Sequence, residues 1–279
     1  MKTKIGIIGA GYVGTAMHRL FENHYEILVH DIRPQEEKRM HFCTLKHINE
    51  NCEVVFVCVP TPKESCTGRC VTVTVEKAVQ ELEVPLIVIK STVPPGTTDR
   101  LIGETGKNIV FSPEYCGESS YWTPYDFHTE VVETPFFIFG GTKESTSKCV
   151  DLFMPVCGPT KTYTQCTAKE AELTKYVENT FYATKIAFCY QIYEICLAAG
   201  IDWNTVRELW LQDPRINPMH TSVFPDNDLP FSGKCLPKDL SGLIQFAKAV
   251  GIGPELLEAV QDYNYDLGNI RKIRRKTDS

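Results

Sequence analysis

Six short runs of β-branched and aromatic residues, spaced by helix-length segments, constrain this chain more than any other feature. KIGIIG from Lys4, EILVHD from Glu26, EVVFVCV from Glu53, LIVIKS from Leu86, NIVFSP from Asn108 and FFIFGG from Phe136 read as strands. Segments starting at Tyr12, Val73, Thr97 and Thr142 have the apolar spacing of covering helices. Strands alternating with helices predict an α/β fold, a Rossmann-like doubly wound parallel sheet. The pattern then changes. From Thr167 to about Ala199 the chain has no proline or glycine and places Leu173, Val177, Phe181, Ile186, Ile192 and Ile195 at helical spacing. Helix-like segments follow at Asn204–Leu211, Lys238–Val250 and Glu255 to about Leu267, with a Pro- and Asp-rich loop from Asp213 to Pro230. Two domains are expected: a dinucleotide-binding domain over 1–165 and a mainly α-helical domain over 166–279.

Charge and composition narrow the function. Lys plus Arg total 29 against 35 Asp plus Glu, a formal net charge of −6, so nucleic acid is a poor partner. No apolar run approaches the roughly 18 residues that span a bilayer, and no signal peptide opens the chain, so no membrane partner and a cytoplasmic location are expected. The 12 cysteines are scattered through apolar segments, where buried thiols are the base expectation. The basic run after Ile270 reads as a solvated helix end. No metal-ligand set is apparent.

Gly9, Gly11 and Gly14 form GxGxxG directly after the first strand. Glycine there allows a tight turn, close approach of a pyrophosphate and close packing of helix on sheet. Asp31 ends the second strand about 20 residues on, where a carboxylate accepts ribose hydroxyls and repels a 2′-phosphate. Together they favour NAD over NADP. Arg33 leaves NADP open, since it could stack on adenine or accommodate a phosphate. A glycine turn that binds nothing is the bland alternative.

Further segments carry polar residues where scaffold does not need them. STVPPGT, Ser91–Thr97, and SPEYCGES, Ser112–Ser119, each follow a strand and so belong to the carboxyl edge of the sheet, where such folds bind ligands. Thr92 there could equally be a turn or cap residue, and Glu114 and Glu118 solvated charges. Lys175 and Asn179 lie one helical turn apart and share a face, a spacing also common on plain surface. In SGKCLPKDL, Cys235 would stand at a helix start beside lysines, with Asp239 one turn on; that setting favours a thiolate. A structural buried cysteine is the alternative, and polar neighbours argue against it.

GIIGAGYVG, VPTP at Pro60, STVPPGT, SPEY, AELTKYVENTFYATKIAF, DPRI and SGKCLPKD, in this order, resemble the UDP-glucose/GDP-mannose dehydrogenase family over nearly the whole chain. The resemblance implies an NAD-dependent enzyme that oxidises the C6 hydroxyl of a nucleotide sugar to a carboxylate. It implies that Cys235 attacks the intermediate aldehyde to give a thiohemiacetal, then a thioester that water hydrolyses. Asp239 and Glu114 would handle or position the proton and water. Lys175 would put positive charge beside the oxyanion, with Asn179 and Thr92 donating hydrogen bonds. Tyr12, Val13, Pro60 and Thr61 would line the cofactor, and Glu118 and Lys238 its nicotinamide end. Arg215, Phe231 and Gly233 would contact the sugar, Arg215 from a neighbouring subunit, so a homodimer through the helical domain is implied.

Three departures from the family stand out. A third α/β domain that clamps the nucleotide is not found after LLEAVQDYNYDLGNI, so the chain is expected to be a shortened member. PFSG at Pro230–Gly233 replaces GFGG, and Tyr190-Gln191 replaces an Asn-Glu pair. A smaller alcohol substrate and a catalytically quiet NAD- or sugar-nucleotide-binding partner protein are the competing readings.

Overall fold

The computed structural model describes residues 3–34, 40–116, 130–225, 227 and 229–277, with side chains as far as residue 268. The chain divides into two compact units: Met1–Pro62 with Cys70–Lys175, and Lys63–Arg69 with Tyr176–Ser279.

The first unit is built on a sheet of seven strands in the order β2-β1-β3-β4-β5-β6-β7. The strands are β1 Lys4–Ile8, β2 Glu26–His30, β3 Val54–Val57, β4 Leu86–Ile89, β5 Ile109–Phe111, β6 Phe136–Gly140 and β7 Thr162–Cys166. Between them run α1 Tyr12–Phe21, α2 Leu45–Asn51, α3 Val73–Glu81, α4 Thr97–Thr105 and α5 Lys143–Cys157. Strands β1 to β5 are mutually parallel, with Ile5 opposite Val54 and Val54 opposite Leu86. The two-residue repeat of the strands sends alternate side chains into two cores. Ile5, Ile7, Phe56 and Val88 enter one; Ile8, Val55, Val57 and Ile89 enter the other. Helices must therefore cover both faces, as in a doubly wound sheet. Neighbouring β1 and β3 lead away in opposite directions, which opens a crevice at their carboxyl ends.

Three features differ from the sequence expectation. Strand β6 pairs antiparallel to β5, then parallel to β7. Helix α5 is the crossover that makes β6 and β7 parallel, whereas among the described residues no α-helix connects β5 to β6. Strand β7, TYTQC, is a largely exposed edge strand and lacks the apolar alternation that marks the others. Helix α2 is short, and is recognisable by the Thr44 hydroxyl accepting from the His47 amide at 3.2 Å.

The second unit contains the later part of α6 Ala168–Ala199, with α7 Trp203–Trp210, α8 Leu236–Ala249 and α9 Glu255–Thr277. Ala183 and Ala187 of α6 pack with Leu240 and Ile244 of α8 and Val260 of α9. Gly242 of α8 is required by contact, since a Cβ there would overlap the Tyr176 ring. Tyr190 is fully buried; its hydroxyl donates to the Phe224 carbonyl at 3.0 Å and accepts from the Phe224 amide at 3.1 Å. That pair of bonds gives the departure at this position a structural role, pinning the 213–230 loop to α6.

Phe153 of α5 packs edge-on against Phe21 at 5.0 Å and Phe139 at 5.1 Å, and lies 5.1 Å from Phe137. Phe153→Ala is expected to destabilise the protein by about 3–5 kcal/mol, read from the shift in urea unfolding midpoint.

Candidate active site

The turn after β1 is shaped by its glycines. Gly9 has φ +94°, and a Cβ there would lie 2.9 Å from the Cys58 carbonyl oxygen. A Cβ on Gly14 would overlap the Gly9 carbonyl, so α1 packs on the turn as only glycine permits. At Gly11, the N-cap of α1, a Cβ would meet nothing within 4 Å. The second glycine thus faces open space in front of helix amides, where a pyrophosphate can approach. Tyr12 is exposed and Val13 half-buried at the helix start.

Asp31 follows β2 and is anchored from both sides. Its Oδ2 accepts from the Ala10 amide at 2.6 Å and its Oδ1 from the Arg33 amide at 2.7 Å. The carboxylate is thereby tied to the glycine turn, while the Arg33 side chain stays exposed. Turn and acid together fit a dinucleotide with a free adenosine ribose. Pro60 and Thr61 follow β3 on the other side of the crevice. A cavity of about 500 Å³ opens beside α1, lined in part by Gly11, Tyr12, Arg19 and His24. It adjoins the turn but includes neither Asp31, Thr92 nor Glu114, so it is not where the polar residues of the rim gather.

The rim beyond β4 and β5 holds the next group. Thr92 is half-buried, with its carbonyl 3.6 Å from Cys70 Sγ. Glu114 is nearly buried; its Oε1 accepts from the amides of Tyr115 and Cys116 at 2.8 and 2.9 Å, and its Oε2 lies 3.3 Å from Lys90 Nζ. Burial pushes the Glu114 carboxyl up, but the Lys90 ammonium and the hydrogen bonds from Cys116 and Tyr115 outweigh it and hold the group below its usual value. Lys175 Nζ stands 4.8 Å from the centre of the Tyr115 ring, a cation–π contact. Three residues before it, fully buried Glu172 accepts from the Gly96 amide at 2.5 Å and the Thr98 amide at 2.8 Å. Glu172 thus caps α4 and fixes α6 against the STVPPGT loop; burial, working against those amides, raises its pKa. Glu118 lies outside the described residues.

In the second unit, α8 begins at Leu236 with exposed Cys235 as its N-cap and Pro237 in the first turn. Asp239 is 1% exposed. Its Oδ2 accepts from Asn179 Nδ2 at 2.5 Å and its Oδ1 pairs with Lys238 Nζ at 2.5 Å. Asn179, Lys238 and Asp239 therefore form one buried polar group a turn below the cysteine. Gly233 has φ +83° and open space around it. The Phe231 side chain is buried in the helical core. Arg215 is exposed and folds back on Asp213, Nε to Oδ1 at 2.9 Å.

Sequence reasoning passed over several residues that hold these groups. Lys90 ends an apolar strand, and a lysine inside LIVIKS is the signal that was available. Tyr115, Glu172 and Asn264 carry no such mark. His220, at φ +63°, stacks on Tyr182 at 4.2 Å; burial and nearby Lys185 push its pKa down to about 4.

A mostly parallel sheet covered on both faces, a glycine turn aimed at an open helix N-terminus and an acid after β2 define a dinucleotide-binding α/β unit, here followed by a helical unit. Residues 19–156 match the NAD binding domain of the UDP-glucose/GDP-mannose dehydrogenase family and residues 169–266 its central domain. The chain belongs to that family. It is 30% identical over 226 residues to the UDP-glucose 6-dehydrogenase YwqF of Bacillus subtilis, covering 76% of this chain and 48% of that protein. It is 30% identical over 236 residues to the UDP-glucose 6-dehydrogenase of Rickettsia bellii, covering 81% and 52%. The chain thus spans about half the length of these curated relatives. A UDP-glucose dehydrogenase structure from the hyperthermophilic archaeon Pyrobaculum islandicum shares the fold, with a TM-score of 0.81 at 24% identity over 95% of this chain and 68% of that one.

Asn264 of α9, 1% exposed, accepts from the Phe231 amide at 3.0 Å and so anchors the loop that leads to Cys235. Asn264→Ala leaves that buried amide unpaired and is expected to lower stability by about 1–3 kcal/mol. Hydrogen exchange at Phe231, measured beside urea unfolding, is expected to accelerate.

Proposed function

We propose that this chain carries an NAD-dependent nucleotide-sugar 6-dehydrogenase activity, oxidising UDP-glucose or a related UDP or GDP sugar to the uronate. The observation that carries the reading is the pairing, in the helical unit, of an exposed cysteine at a helix N-cap with a buried Asp239 held by Asn179 and Lys238. A surface thiol needs no such group beneath it, whereas a nucleophile does.

NAD, when bound, would supply the oxidant, and the two oxidations would consume two NAD molecules in succession, one hydride to each. Gly9, Gly11, Gly14 and the α1 amides of Tyr12 and Val13 receive the pyrophosphate, Asp31 and Arg33 the adenosine end, and Pro60, Thr61, Glu118 and Lys238 the remainder. In the first oxidation the sugar C6 hydroxyl loses its proton and a hydride, giving an aldehyde. The Cys235 thiolate adds to that aldehyde and forms a thiohemiacetal. Loss of the hydroxyl proton and the second hydride leaves a thioester on Cys235, which water cleaves to the carboxylate and free thiol. Lys175 stabilises the oxyanion, Asn179 and Thr92 supply hydrogen bonds, and Asp239 and Glu114 orient water and move the proton. Arg215, Phe231 and Gly233 contribute to sugar binding.

The purified chain with NAD and UDP-glucose is expected to release two NADH for each uronate. Cys235→Ser is expected to stop short of the acid. Proven NAD binding with no NADH from any nucleotide sugar would sink the reading.

The same reading includes a homodimer. Val177, Phe181, Phe188 and Ile195 are exposed on α6 at spacings that form one seam, the kind of apolar face that a second helix covers. Phe181→Asp with Phe188→Asp is expected to halve the mass seen by light scattering, with the helical content by circular dichroism kept. A cytoplasmic location completes it, a reducing compartment in which the cysteines of this chain stay as thiols.

A further inference from the structure

Lys90 continues β4, whose own side chains are aliphatic, and is only 4% exposed. Its Nζ donates to the Pro113 carbonyl at 3.0 Å and the Ser112 hydroxyl at 3.3 Å, and lies 3.3 Å from Glu114 Oε2. All three partners come from one short stretch after β5. An ammonium is buried at a large desolvation penalty, and packing alone is served as well by an apolar side chain of the same length. The fold does not need a charge at this position; the 112–116 segment does.

That segment carries Glu114, assigned above, and Tyr115, which faces Lys175. Glu114 Oε1 is already engaged by the Tyr115 and Cys116 amides, so Lys90 completes the fixing of the carboxylate at its second oxygen. The next residue, Tyr115, presents its ring to Lys175 Nζ. We propose that Lys90 is a positioning residue, whose ammonium fixes the 112–116 segment and so sets the orientation of Glu114 and, through the Tyr115 ring, of Lys175. The proposal deepens the dehydrogenase reading and rests on it for the roles of Glu114 and Lys175, while the ion pair itself stands independently.

Among the described residues, the titratable groups around the pair are mostly buried thiols. Cys58, just after β3, and Cys149 of α5 face Lys90, and burial pushes each thiol up to about 12. Cys157 rises to about 11 for the same reason, and burial with the Glu114 charge raises Cys116, which Glu130 also faces. These thiols stay neutral, so among the described residues Lys90 is the cation that acts on the Glu114 charge. The sign follows: a carboxyl held below 4.5 when folded adds stability above 4.5, and that stability is lost as pH falls through the lower folded value.

The test is the titration of the Glu114 carboxyl carbon by NMR in the full chain, assigned by its loss in Glu114→Gln. Wild type and Lys90→Arg are expected to titrate below 4.5. Lys90→Met is expected to titrate about 1–3 pH units higher. In turnover, the acid limb of the kcat profile is expected to move the same way in Lys90→Met, with NAD affinity unchanged. An unmoved Glu114 signal in folded Lys90→Met overturns the proposal. Should that variant not fold, wild type and Lys90→Arg decide, and Glu114 titrating at or above 4.5 in either overturns it. A chain that shows no turnover fails the dehydrogenase reading alone, because the titration is read without substrate.

Discussion

A sheet buried on both faces leaves only its edges for polar chemistry, and this constraint organises the first unit. Apart from Lys4 at its start, strands β1, β3, β4 and β5 send every side chain into one of two cores. Polar groups consequently begin where the strands stop: Gly9 after β1, Asp31 after β2, Pro60 after β3, Lys90 to Thr92 after β4 and Ser112 to Glu114 after β5. Each strand end hands its residues to the same carboxyl rim.

Holding charge at such a rim requires partners for each group. Asp31 is tied by the Ala10 and Arg33 amides, Glu114 by Lys90 and two amides, and Glu172 by the amides that open α4. The helical unit solves the same problem around Asp239 with Asn179 and Lys238. In each case the carboxylate links segments far apart in sequence, so the polar groups that would act on a substrate also fix the loops that carry them. Few of these carboxylates can be removed without loosening a neighbour.

The fold was legible wherever burial imposed a period. Five parallel strands and the long α6 announce themselves because their faces are apolar at the spacing of their geometry. TYTQC was silent since an exposed edge strand has no apolar face to display, and the reversal at β6 depends on a connection that leaves no periodic trace. In the candidate site, Asp31, Glu114 and Cys235 stood out as polar interruptions next to apolar runs or glycine turns. Their supports did not. Glu172 and Asn264 sit in helices where a polar residue ordinarily faces water, and only the packing shows that each is buried against a backbone amide. Tyr190 looked like a departure from a family pattern and turns out to clamp the Phe224 backbone.

The covalent role of Cys235 is the claim on which the rest of the chemistry turns. Acid-quenching the chain during turnover of NAD and UDP-glucose, then weighing the peptide that contains Cys235, reads it directly. The expected result is a uronyl thioester on Cys235. An unmodified Cys235 peptide while uronate accumulates would contradict it.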